Sequence, residues 1–160
     1  MYEIITKSEN ETRAFAEKLG SILSAGDILC ISGNLGAGKT VFASGISRGL
    51  GISEQISSPT FTIVNEYSGK LPFYHFDAYR INSDEFLDIG GDEYLYSEGV
   101  TLIEWPENIS DILPKEKLEI LINYQDDSSE DFQTRKISLL PCGQRYIERI
   151  RQLNLLEEVK

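Results

Sequence analysis

A chain of 160 residues with 41% hydrophobic content is long enough for one domain with a substantial core and too short for two of ordinary size. Its formal charge of -11, from 26 acidic against 15 basic residues, sets the surface against DNA, RNA and anionic lipid unless a local basic patch intervenes. No apolar run reaches the roughly 20 residues needed to span a bilayer, the N-terminus has no basic segment followed by an apolar one, and the two cysteines show no metal or disulfide spacing. The expectation is a cytoplasmic, unprocessed protein that contacts neither membrane nor DNA.

In chain order, Tyr2 to Thr6 reads as a short strand, and Ser8 with Glu11 has the spacing of a capping box for a helix carrying Phe15, Leu19 and Ile22 on one face. Gly26 marks the end of that helical region. The apolar run Ile28 to Ile31 then suits a buried strand, and a glycine-rich segment follows it directly. A second helix is expected from Lys39, because Phe42, Ile46 and Leu50 recur at intervals of four until Gly49 and Gly51 stop it.

Phe61 to Tyr67 and Leu71 to Asp77 read as two strands of a hairpin through Ser68-Gly69-Lys70, which makes the sheet mixed. Asn82 or Ser83 caps a short helix around Asp84 to Ile89, ended by Gly90-Gly91; the acidic, tyrosine-rich stretch Asp92 to Glu98 is assigned to no element. Val100 to Glu104 is a strand, Pro106 opens a short helix, and Leu118 to Tyr124 and Lys136 to Leu140 are strands around the acidic turn DDSSED. The C-terminal helix, about 143–154, has Ile147, Ile150 and Leu153 as its apolar positions, with Arg145, Arg149 and Arg151 on a solvated face. The fold class is α/β: a single P-loop NTPase-like domain over 1–160, a mixed parallel and antiparallel sheet flanked by helices.

Gly33 to Thr40, GNLGAGKT, satisfies GxxxxGK[ST], a pattern that chance produces in roughly one chain of this length in a few hundred. Its glycines let backbone N–H groups converge on phosphate oxygens. The positive end of the next helix, the Lys39 ammonium near the β and γ phosphates and the Thr40 hydroxyl as a magnesium ligand add to that cradle. The strand before it and the helix after it are the context a phosphate loop requires.

A magnesium nucleotide site also needs carboxylates at strand ends, and Asp77 and Glu104 each close an apolar segment. Either suits magnesium while the other orients or deprotonates water; the residues alone leave those roles open. Thr60, between a flexible stretch and a strand, is placed as switch-loop hydroxyls are, although Ser58-Pro59-Thr60 by itself also reads as an ordinary turn. His75 shares a strand face with Asp77 but reads as a structural group, and Trp105 reads as core filling or a neighbour of the site.

GNLGAGKT, SPTF, YHFDAYR and IEWPE, in this order within about 75 residues, resemble the TsaE family, also called YjeE, from Ser8 to about Leu140. The resemblance implies an ATPase that works with TsaB and TsaD to make threonylcarbamoyladenosine at position 37 of tRNAs reading codons that start with A. By the same resemblance Leu35, Gly36, Ala37, Gly38, Lys39 and Thr40 wrap the phosphates of ATP, Thr40 and Glu104 hold Mg2+, Asp77 is the Walker B aspartate, Thr60 the switch threonine, and Glu9 lies near the nucleotide. It further implies slow hydrolysis that resets the TsaB–TsaD complex, contact with tRNA only through that complex, and no transferase chemistry in this chain. Val41 stands where the family often has a second threonine.

Other readings are weaker on the residues. A GTPase needs NKxD for guanine, whereas the nearest string, Asn123-Tyr124-Gln125-Asp126, lacks the lysine, and the DxxG match at Asp88 to Gly91 does not follow an apolar strand. A small-molecule kinase wants several arginines around its acceptor, and only Arg80 lies between Arg48 and Arg135. A nucleotide-gated binding module without obligatory hydrolysis is compatible with every motif, and no arginine stands in an obvious position to stabilise a transition state, which leaves a partner to complete or order the site.

Overall fold

The structure is a computed structural model that describes residues 1–34, 36–59, 62–125 and 133–158. They form one seven-stranded mixed sheet in the order β1-β7-β6-β2-β5-β4-β3. The strands are β1 (Tyr2–Thr6), β2 (Ile28–Gly33), β3 (Val64–Ser68), β4 (Pro72–Asp77), β5 (Val100–Glu104), β6 (Lys117–Tyr124) and β7 (Arg135–Cys142). β2 pairs in parallel with β5 and β6, and β5 in parallel with β4, while the β3–β4, β6–β7 and β1–β7 pairs are antiparallel. The strands at the centre are apolar without alternation because both faces are covered. Leu29, Ile31, Leu102 and Ile120 lie under the helices α1 (Glu9–Ser21) and α2 (Lys39–Gly49) with Phe15, Phe42 and Ile46. Ile28, Cys30, Phe76 and Ile103 face a second cluster with Phe86, Leu95 and Ile109 from α3 (Ser83–Asp88), α4 (Gly91–Leu95) and a 3-10 turn over Pro106–Ile109.

The local signals act as sequence chemistry requires, with informative departures. Ser8 caps α1 by accepting from the Glu11 N–H at 3.1 Å, but the Glu11 carboxylate accepts from the Lys7 N–H, so half of the expected capping box forms. Asn82 rather than Ser83 caps α3, with the reciprocal bonds to Glu85 complete. The unassigned tyrosine-rich stretch contains α4, which places Tyr94 edge-on to Tyr74 and Phe76. Gly51 ends α2 in the left-handed region, whereas Gly49 is still helical. A Cβ on Gly49 would lie 2.3 Å from the Glu17 carbonyl oxygen and one on Gly45 2.4 Å from that of Arg13, so these glycines let α2 press on α1.

The last helix, α5 (Gln144–Glu158), corrects the sequence reading of its faces. Tyr146 and Leu153 are buried with Ile150 packed beside them, while Ile147 is 44% exposed. Arg145 and Arg149 do not point freely into solvent: their Nε atoms lie 2.6 and 2.9 Å from the carboxylate of the fully buried Asp27. The Ile28 N–H donates to the Tyr146 hydroxyl at 2.8 Å, so α5 is tied to the start of the central strand. Among the described residues, no helix is long and apolar enough to cross a membrane.

Candidate functional site

The phosphate loop leaves β2 just past its last pair with β5, where the strand is still paired with β6. Gly33 pairs with Ile122, and a Cβ there would stand 2.2 Å from the Ile122 carbonyl oxygen, so only glycine fits. Gly38 precedes α2 with φ +104, a conformation that a side chain disfavours. The first backbone bond of α2, from the Phe42 N–H to the Gly38 carbonyl at 2.9 Å, leaves the earlier N–H groups at the open, positive end of the helix. Lys39 is only 7% exposed: its Nζ donates to the Gly33 carbonyl at 3.1 Å and lies 4.1 Å from the centre of the Trp105 ring. Thr40 is exposed beside it, and Leu35 lies outside the described residues.

The carboxylates converge because their strands run parallel and in register. Asp77 ends β4 directly opposite Glu104, which ends β5 and in turn lies opposite Ile31 of β2. The two carboxylates therefore sit at the same edge of the sheet as the loop, outside the carboxyl ends of parallel strands. Glu104 is 4% exposed and its Oε2 is 2.9 Å from Nε2 of the fully buried His75. Asp77 is half-buried and accepts the Tyr79 N–H at 3.0 Å. Burial raises the Asp77 pKa above the usual carboxylate value, the Glu104 charge adds to the rise, and the Tyr79 N–H, His75 and Lys39 oppose it.

The chain around these groups is held in place. The Ala78 N–H donates to the Glu104 carbonyl at 3.0 Å, and the Asn108 amide donates to the carbonyls of Ala78 and Tyr79. Trp105 takes up φ 59, ψ 49, unusual for a bulky residue, which turns its ring onto both Lys39 and Tyr79. On the other side of the loop, the Tyr124 hydroxyl donates to the Gly36 carbonyl at 3.2 Å and Arg135 Nε to the Ala37 carbonyl at 2.9 Å. Glu9, the first residue of α1, lines a small cavity of about 40 Å³ with Thr12, Gly36, Gly38, Val41, Gln133 and Arg135.

The sequence-based candidates Lys39, Asp77 and Glu104 are thus brought together, with Gly36 to Thr40 beside them and Glu9 at the flank. Thr60 and the acidic turn Asp126 to Asp131 lie outside the described residues. Sequence reasoning did not see His75 as the partner of Glu104, although its shared face with Asp77 was the available signal. It had no signal for Tyr124 and Arg135, which reach the loop only once β6 and β7 pair.

The donor set is all oxygen at the carboxylates and the Thr40 hydroxyl, and the described residues contain no group of three or more His, Cys, Asp or Glu able to hold a metal. The oxygen donors suit magnesium arriving with phosphate oxygens, which needs one or two carboxylates rather than a protein cage. The Asp88 to Gly91 match to a GTPase motif forms a turn between α3 and α4, far from the context of a strand end. A groove of about 490 Å³ lies elsewhere, lined by Met1, Cys30, Pro106, Leu121 and Leu140 with none of the loop residues. The burial that raises the Cys30 thiol to about 12 makes it inert there.

A family model described as threonylcarbamoyl adenosine biosynthesis protein TsaE matches residues 6–137. The chain is 44% identical over 142 residues to the tRNA threonylcarbamoyladenosine biosynthesis protein TsaE of Bacillus subtilis, covering 88% of this chain and 86% of that one. It is 38% identical over 128 residues to the protein of the same name from Treponema pallidum, covering 79% and 95%. The crystal structure of YdiB from Bacillus subtilis superimposes with a TM-score of 0.84 at 36% identity, over 98% of this chain and 95% of that one. With a match of this extent in sequence and in fold, the chain belongs to the TsaE family.

Proposed function

We propose that this chain binds ATP with magnesium and hydrolyses it slowly, as the partner of TsaB and TsaD in forming threonylcarbamoyladenosine at position 37 of tRNAs in the cytoplasm. The observation that carries the reading is the convergence of Lys39 with the in-register carboxylates Asp77 and Glu104 at one sheet edge. The biosynthetic role rests on the names of the relatives. Gly36 to Thr40, with Leu35, hold the phosphates through backbone N–H groups and the Lys39 ammonium. Magnesium, when bound with the nucleotide, supplies charge neutralisation between the phosphates.

Within that reading the two carboxylates divide their work by environment. Glu104, buried and fixed by His75, is suited to hold the metal together with the Thr40 hydroxyl. Asp77, half-buried with a raised pKa, is suited to orient the attacking water and accept its proton. Thr60 is assigned to sense the γ phosphate, and Glu9 to flank the nucleotide. Hydrolysis resets the partner complex between turnovers, and the transfer of the threonylcarbamoyl group occurs elsewhere.

ATP hydrolysis measured with and without the TsaB–TsaD pair tests this. Stimulation that disappears in Glu104→Ala and Asp77→Ala supports it. ATP-dependent assembly with no stimulated hydrolysis makes the chain a nucleotide-gated binding module instead.

A further inference from the structure

The β6–β7 hairpin grips the phosphate loop from outside. Tyr124 closes β6 and Arg135 opens β7, and the two are register partners across the hairpin mouth. The Arg135 guanidinium carbon lies 4.2 Å from the centre of the Tyr124 ring, a cation–π contact that fixes both side chains. From this seat the Tyr124 hydroxyl donates to the Gly36 carbonyl and Arg135 Nε to the Ala37 carbonyl.

Those carbonyls belong to two consecutive peptides of the loop. In a planar trans peptide the N–H points opposite to the C=O, so carbonyls held outward on the hairpin turn the N–H groups of Ala37 and Gly38 the other way. The Ala37 N–H closes the loop on the Asn34 carbonyl at 3.0 Å, and Gly38 stands at the positive end of α2. A cationic donor on the Ala37 carbonyl also polarises the peptide whose N–H is that of Gly38.

We propose that Arg135, seated on Tyr124, is a positioning residue that braces the phosphate loop and sets its affinity for the polyphosphate part of the nucleotide. This rests on the reading of Gly33 to Thr40 as an ATP site. The ring stack orients the guanidinium, the guanidinium fixes the Ala37–Gly38 peptide, and that peptide meets the phosphates.

Calorimetric titration with ATP and with inorganic tripolyphosphate, which has neither base nor ribose, tests the inference on the full chain and its variants. Arg135→Ala is expected to weaken both ligands by the same factor, about tenfold or about 1.4 kcal/mol. Arg135→Lys, which keeps a cationic donor over the ring, recovers part of that loss. Tyr124→Leu removes the ring that orients the guanidinium and weakens both ligands a few-fold; it also serves if Arg135→Ala does not fold.

Unchanged affinity in Arg135→Ala, or in Tyr124→Leu where only that variant folds, overturns the brace. If Lys39→Ala has meanwhile lost ATP, the ATP reading stands without it. A loss for ATP but not for tripolyphosphate also overturns it, by moving Arg135 to the base or ribose. An unaltered chain that binds neither ligand overturns the brace and the ATP reading together.

Discussion

Replacing His75 tests how the candidate metal carboxylate is held. His75 is fully buried, its ring is stacked on Phe73 at 6.1 Å, and its Nε2 meets Glu104 at 2.9 Å. Nδ1 has no hydrogen-bond partner among the described residues, so His75→Phe keeps the ring and removes the bond to Glu104. A bond to a buried charged group contributes about 2 kcal/mol, and its loss leaves Glu104 with an unmet acceptor. At about 2–4 °C per kcal/mol for a chain of this size, the variant melts about 4–8 °C lower. His75→Ala also empties the ring volume and loses about 2 kcal/mol more.

The same change loosens Glu104, and loss of an outer-shell partner typically weakens metal affinity about tenfold or more. Thermal and urea melts give the stability. Magnesium titration in the presence of ATP, read from tryptophan fluorescence, gives the affinity, because Trp105 is the one tryptophan and its ring lies 4.1 Å from Lys39 Nζ. His75→Gln, whose amide can donate to Glu104, should restore part of the magnesium affinity. If His75→Phe melts with the parent and needs no more magnesium, the idea that His75 positions Glu104 is wrong.

Lys39→Ala should weaken ATP binding at least about a hundredfold, about 2.7 kcal/mol, by calorimetry, since it removes the ammonium from the loop. Asp77→Asn should abolish stimulated turnover while the nucleotide-free protein becomes slightly more stable. The folded state raises the Asp77 pKa, so it binds the proton more tightly than the unfolded chain, and stability falls as pH rises from the unfolded value of 3.8 through the folded one. The asparagine removes a cost that is therefore present at neutral pH, less than about 1 kcal/mol at a half-exposed site, and the gain should vanish in melts below about pH 4. Asp27→Ala strands Arg149 and Arg145 without their buried partner and should cost about 3 kcal/mol in urea unfolding, with α5 becoming the first region cut by protease.

What was legible in the sequence was what neighbouring residues decide. Val100 to Glu104 and the loop between β2 and α2 follow from apolar runs, glycines and helical spacing, and the strand-end positions of Asp77 and Glu104 were visible for the same reason. Their meeting depends on parallel register, which pairs Asp77 with Glu104 across more than twenty intervening residues, and no local pattern encodes it. Gly49 looked like a helix stop because glycine breaks helices. It is the last residue of α2, and it is glycine because α1 passes too close for any Cβ. Arg145 and Arg149 looked solvated because their partner Asp27 is far away in sequence and buried. The choice of Tyr146 over Ile147 as the inward residue of α5 was set by the hydroxyl that meets the Ile28 N–H, a tertiary contact.

The most direct test of the proposed role is tRNA modification by TsaB and TsaD, with threonylcarbamoyl-adenylate supplied and tRNA in excess, comparing this protein with its Glu104→Ala form. On the proposed role both proteins permit the first round of modification, but only the unaltered chain sustains further rounds, since the proposed reset needs ATP hydrolysis that Glu104→Ala would lose. Equal yields over many rounds would contradict a reset driven by hydrolysis at Asp77 and Glu104.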